Sequence, residues 1–71
     1  MYEKELNRII NVIKNRRATL GYSQFYVAEK LGITQNVYSK IEANKINLTA
    51  CRLLMICEIL DIDAVKLMKS L

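Results

Sequence analysis

The chain has 71 residues, 52% hydrophobic and 25% charged, which is material for one small domain over residues 1–71 and too little for a large active-site cleft. It contains no His, and its carboxylates form no obvious catalytic constellation, so no catalytic residue, metal site or cofactor is expected. The net charge of +4 is uneven: eight basic against four acidic residues in 1–48, and three of each in 49–71. That division suggests a polyanion-facing surface followed by a packing or partner surface.

With no proline and two widely spaced glycines, long helices are permitted and an all-α chain is expected. Leu6, Ile9, Ile10, Ile13 and Leu20 recur at helical spacing, with Tyr2 one turn before Leu6, and Gly21 supplies a stop. This predicts a first helix from about Glu3 to Leu20. Ser23 can cap a short helix from Gln24 to Leu31, whose inward face is Val27, Ala28 and Leu31 and which Gly32 ends. After the turn Gly32-Ile33-Thr34, Thr34 caps a third helix from Gln35 to about Ala43, with Tyr38 and Ile41 inward. Residues 44–48 lack periodicity and read as a loop.

Thr49 caps a fourth helix, Ala50 to Leu60, in which only Arg52 and Glu58 are polar. One stripe, Ala50, Leu53, Leu54, Cys57 and Leu60, is expected to face the core. A second, Cys51, Met55 and Ile59, projects elsewhere and would be left in water on a monomer. Six residues apart on one helix, Cys51 and Cys57 cannot form a disulfide, and two free thiols suit a reducing compartment. Asp63 caps a last helix, Ala64 to Leu71, carrying Val65, Leu67, Met68 and Leu71. The longest apolar run, Leu53 to Cys57, is far below the roughly 20 residues that cross a bilayer. No membrane span or signal peptide is expected, and the cytoplasm is the expected location.

Two short helices joined by a tight glycine turn, the second rich in small polar residues and preceded by a basic helix, are the pattern of a helix-turn-helix. The spacing is demanding. Ala28 falls where the two helices cross, Gly32 where a positive φ is convenient, and Ile33, Tyr38 and Ile41 where the second helix must be wedged against the body. A plain αα-hairpin shares the outline without these requirements.

The run from Gly21 to Glu42 resembles the helix-turn-helix of the Cro/lambda-repressor-like (XRE-type) transcriptional regulators. The resemblance extends through Leu60 and is carried by Ser23-Gln24, Ala28 with Leu31-Gly32, Thr34-Gln35 and Ser39-Lys40-Ile41-Glu42. It implies a compact five-helix domain with its helix-turn-helix at about 23–43, a third helix set in the major groove of double-stranded DNA, a bacterial or phage source, and commonly a dimer. Residue by residue, it implies that Gln24 bonds a phosphate and supports Gln35. Gln35 is the first candidate base reader, since a carboxamide pairs with adenine N6 and N7. Asn36 follows, with Ser39 and Lys40 one turn further on. Thr34, Asn44 and Lys45 flank the third helix and, with Arg17 at the end of the first, are expected on phosphates.

Glu42 is expected to be a packing or polar-network residue, because an anion has no reason to face DNA. Tyr22, Phe25 and Tyr26 sit in a regular helical pattern and read as scaffold rather than as a stacking platform. Three positions depart from the family pattern: Arg16 stands where an apolar residue is frequent, Leu48 where proline is usual, and Asp61 where glycine is usual. The stripe Cys51, Met55 and Ile59 lies where relatives are frequently polar; with Met68 and Leu71 it marks 49–71 as a dimerisation region.

The expected function is a sequence-specific DNA-binding transcriptional regulator acting as a homodimer on a palindromic operator. A phage-type repressor, a restriction-modification controller and a DNA-binding antitoxin with a toxin partner all fit. The alternative is a protein-interaction module that uses the apolar fourth helix and binds little DNA.

Overall fold

Each helix of this chain after the first begins at a short polar side chain able to accept backbone N–H groups. A computed structural model describes residues 1–71 as five helices, α1 (Glu3–Thr19), α2 (Gln24–Leu31), α3 (Gln35–Glu42), α4 (Ala50–Ile59) and α5 (Ala64–Lys69). Ser23 Oγ accepts from the Tyr26 N–H at 3.0 Å, Thr34 Oγ1 from Val37 at 3.2 Å, and Thr49 Oγ1 from Arg52 at 3.1 Å. The Asp63 carboxylate accepts from both Val65 and Lys66, and its negative charge suits a helix N-terminus. α1 has no side-chain cap, but Glu3 and Glu5 lie in its first turn and Arg16 and Arg17 in its last, each favourable to the helix dipole.

The first four helices end by one device. A residue with positive φ follows the last turn: Gly21 and Gly32 at 73°, Asn44 at 56° and Asp61 at 55°. The next N–H then returns to a carbonyl inside the helix, Tyr22 to Arg17, Ile33 to Ala28, Lys45 to Lys40 and Ile62 to Cys57. This is the Schellman closure, which satisfies carbonyls that a bare helix end leaves unpaired. Glycine takes the left-handed conformation without strain, whereas Asp61 holds it against its Cβ. The nearest compensation, an approach of 4.0 Å to Arg16 Nη2, involves a carboxylate 97% exposed and adds little. Asp61→Gly is therefore expected to stabilise the fold by about 0.5 kcal/mol after the added freedom of the unfolded chain is subtracted. Urea denaturation monitored by helix signal reads this directly; a loss of stability would show that the Asp61 side chain matters more than its backbone.

Arg16 finds a polar task at its unusual position. Its Nε donates to the Leu60 carbonyl at 2.8 Å, so it closes the C-terminal end of α4 while half-buried. The last helix stops at Lys69, two residues before the expected end. Ser70 Oγ donates to the Leu67 carbonyl at 2.7 Å, and Arg8 Nη1 donates to the Ser70 carbonyl at 3.2 Å, which ties the end of α5 back to α1.

The core unites every helix: Ile9 and Ile13 from α1, Val27, Ala28 and Leu31 from α2, Tyr38 and Ile41 from α3, Ile56 and Cys57 from α4 with Leu60 at its cap, and Leu67 from α5. α2 packs on both α3 and α4, and α1 on α3. α4 corrects the sequence expectation. Ile56, assigned to neither stripe, is fully buried, while Leu54 is 60% exposed and Ala50 is also exposed. The true inward stripe is Leu53, Ile56, Cys57 and Leu60, rotated by roughly 50° from the one expected. In a helix apolar nearly all round, periodicity leaves the inward direction open, and packing on α2 chooses it.

Candidate nucleic-acid interface

α3 owes its orientation to two side chains pointing in. Tyr38 and Ile41 are buried at 0% and 1% exposure, and the Thr34 cap fixes the first turn. The opposite side is thereby turned outward. Gln35, Asn36 and Lys40 are exposed, and Ser39 is half-buried. Gln35 with Ser39, and Asn36 with Lys40, are pairs one turn apart, so four polar side chains form a short two-row face. Thr34 and Lys45 are exposed at its two ends. Two carboxamides, a hydroxyl and ammonium groups on a narrow convex helix match the donors and acceptors of base edges flanked by phosphates.

Behind this face lies a charged network that holds it in place. Arg17 grips Glu42 with two bonds, Nε to Oε2 at 2.7 Å and Nη2 to Oε1 at 3.0 Å, and its Nη1 donates to the Tyr22 carbonyl at 2.8 Å. Gln24 Nε2 donates to Glu42 Oε1 at 3.1 Å. One carboxylate at the end of α3 is thus bonded to α1 and α2 together. Burial works to raise the Glu42 pKa, but the bonds from Arg17 and the dipoles of Tyr38 and Gln24 outweigh it, and the carboxyl is held below its ordinary range. Arg17 is raised in turn, chiefly by its hydrogen bonds to Glu42. Tyr38 is pushed far upward, by burial first and by Glu42 second, so the phenol is neutral at any working pH.

Several expected residues take other roles here. Arg17, placed on phosphates by resemblance, has a guanidinium engaged on three sides and a side chain only 18% exposed; it serves the network. Asn44 Nδ2 donates to Asn7 Oδ1 at 2.9 Å, and its backbone closes α3, so it braces α1 while staying exposed. Gln24 is half-buried against Glu42, in a position to support the helix-turn-helix from inside. Glu42 is a network residue, as expected, at 5% exposure. Asn7 was not foreseen, since nothing in a helical polar residue announces a partner 37 positions away.

Tyr26 of α2 is paired with Tyr22, just before that helix. The Tyr22 and Tyr26 rings lie 4.5 Å apart, and Lys30 Nζ sits 5.4 Å over Tyr26. Phe25 is exposed and, with Ile33, Thr34 and Gln35, lines a shallow depression beside the start of α3. Of the residues expected at a dimer contact, Cys51, Met55, Met68 and Leu71 are exposed, whereas Ile59 is half-buried against the core. Leu54, expected in the core, and Val65, assigned to no face, are apolar surface at 60% and 63% exposure. No group of His, Cys, Asp or Glu is clustered to hold a metal ion, and no helix is long and apolar enough to cross a membrane.

A basic, all-helical chain with a seated third helix and an outward polar face defines a DNA-binding helix-turn-helix regulator. The helix-turn-helix family model matches residues 13–67, most of the chain, and the chain belongs to the Cro/lambda-repressor-like (XRE-type) branch of that family. Members are DNA-binding regulators and typically not enzymes. No curated protein and no solved structure gave a match.

Proposed function

We propose that residues 1–71 form one module that reads a specific double-stranded DNA site as a homodimer and regulates transcription in the cytoplasm of a bacterium or phage host. The observation that carries this is the outward row Gln35, Asn36 and Lys40 on a helix whose other side is locked by Tyr38, Ile41 and Glu42. Base readers work only when their backbone is held still, and here α1 and α2 hold it through Glu42. Twofold pairing sets two copies of α3 about 34 Å apart, one turn of DNA, on a palindromic site. A repressor, a restriction-modification controller and an antitoxin with a toxin partner all use such a module.

Selection from randomised duplex DNA tests the reading. Enrichment of an inverted repeat with half-sites one turn apart supports it. On the selected site Gln35→Ala is expected to cost about 1–3 kcal/mol and to relax one base position per half-site. Lys45→Ala, in contrast, weakens binding to all sequences and lowers the salt slope by about one for each phosphate no longer neutralised. Equal affinity of the Gln35 variant and the wild type for the site removes Gln35 from the readout. A second reading is favoured by the exposed Leu54, Val65 and Met68: a module that holds another protein and binds DNA weakly. Selection without enrichment would favour it.

A further inference from the structure

The polar surface around α3 continues onto α1. Asn7, Asn11 and Lys14 follow one another at spacings of four and three, so they share one side of that helix, and all three are exposed. That side reaches the end of α3, because Asn7 Oδ1 accepts from Asn44 Nδ2 at 2.9 Å. The bond fixes the polarity of both amides. With its oxygen engaged, Asn7 has an NH2 group with two N–H donors left for an outside acceptor, and Asn44 keeps a second N–H of its own. Lys45 comes next, its backbone N–H anchored to the Lys40 carbonyl at 2.9 Å. Neither Lys14 nor Lys45 enters an ion pair within the chain. Glu3, one turn before Asn7, is paired with the N-terminal ammonium, and Glu42 with Arg17, so the unpaired charge of this patch is positive.

Amide donors beside unpaired ammonium groups suit an anion that only accepts, and along a DNA duplex that group is the phosphate. We propose that the junction of α1 and α3, formed by Asn7 with Asn44 and Lys45 and by Lys14 about 10 Å further along α1, grips the sugar-phosphate backbone beside the bases met by α3. The inference rests on the DNA-reading proposal and extends it to a side of α1 that the sequence analysis left off the DNA. Asn7 thus has two tasks, bracing Asn44 and bonding a phosphate. The first uses its oxygen and the second its nitrogen.

Asn7→Asp separates the two. A carboxylate still accepts from Asn44 Nδ2, yet it donates nothing and repels an anion, so a bracing residue tolerates the change and a phosphate contact does not. On the duplex selected from randomised DNA, with helix content and melting unchanged, Asn7→Asp is expected to weaken binding by about tenfold or more. Methylphosphonate substitution, which removes the charge of one phosphate at a time, locates the contact. At one position in each half-site it is expected to weaken the wild type and to strengthen Asn7→Asp, where it relieves repulsion. Lys14→Ala, at an exposed position, is expected to weaken binding to selected and unrelated duplexes alike and to lower the salt slope by about one per copy bound; it decides the matter if Asn7→Asp melts early. Wild-type affinity in Asn7→Asp, methylphosphonate effects of one sign and size in both proteins, or an unchanged slope in Lys14→Ala overturns this site while the reading of DNA by α3 stands. If the wild type enriches no duplex, the DNA reading falls and this site falls with it.

Discussion

Glu42→Ala is expected to destabilise the fold by about 3–5 kcal/mol, the cost of removing one partner from a buried pair and leaving the other charged. The carboxylate is 3% exposed and Arg17 18%; after truncation the guanidinium loses two bonds, and Gln24 loses its acceptor. The double variant Arg17→Met, Glu42→Met removes both charges and is expected to regain at least half of the loss, since an apolar pair of similar volume avoids the desolvation cost altogether. The same pair sets the acid limb. Because the folded Glu42 pKa lies below the unfolded value near 4.3, the unfolded chain binds more protons between the two values. Stability from this group is therefore complete above about pH 4.3 and falls as the pH drops through the folded value. The double variant is expected to show a shallower acid limb in urea titrations between pH 2 and 5. A limb as steep as the wild type's would assign acid sensitivity to other carboxylates.

For this network to matter to function, α3 must shift when it is removed. The three helices meet on Glu42, and the row Gln35, Asn36 and Lys40 stands within about two turns of it on the same rigid helix. A double variant that folds well yet loses discrimination among DNA sites would show that the pair is kept for the placement of α3 more than for stability. That is the use of buried charge best supported in other folds, where it fixes register.

Helix starts were legible because each is signalled locally: Ser23, Thr34, Thr49 and Asp63 all cap where their spacing predicted. Tyr38, Ile41 and Ala28 were legible as core because α2 and α3 are amphipathic, with polar residues marking the outer side. The fourth helix was not, since with only Arg52 and Glu58 polar its sequence permits several inward directions; Leu54 and Ile56 exchange roles as a result. The site divides similarly. Outward polar residues on α3 follow from knowing which residues point in, but Arg17 and Asn44 are long or flexible polar groups whose partners, Glu42 and Asn7, lie 25 and 37 positions away. Resemblance alone gave them to phosphate; the geometry adds the scaffold contacts they make.

Tyr38 carries the last prediction, which separates what a buried ring contributes from what its hydroxyl does. The side chain is fully buried at the centre of the core, and truncation to Ala is expected to cost about 3–5 kcal/mol through lost burial and the cavity left behind. The hydroxyl is another matter. It lies close enough to Glu42 and Arg17 to feel their charges, yet it has no hydrogen-bond partner of ordinary geometry, and an unpaired buried hydroxyl is a cost. Tyr38→Phe is thus expected to leave stability unchanged or raise it by up to about 1 kcal/mol. Thermal and urea unfolding of the two variants beside the wild type measure the contrast. A loss of more than about 1.5 kcal/mol in Tyr38→Phe, on the scale of a hydrogen bond to a charged group, would show that the hydroxyl donates to the Glu42 carboxylate in solution. In that case the acid limb set by Glu42 should move to higher pH in the same variant, because a donor that favours the charged carboxylate would have been removed.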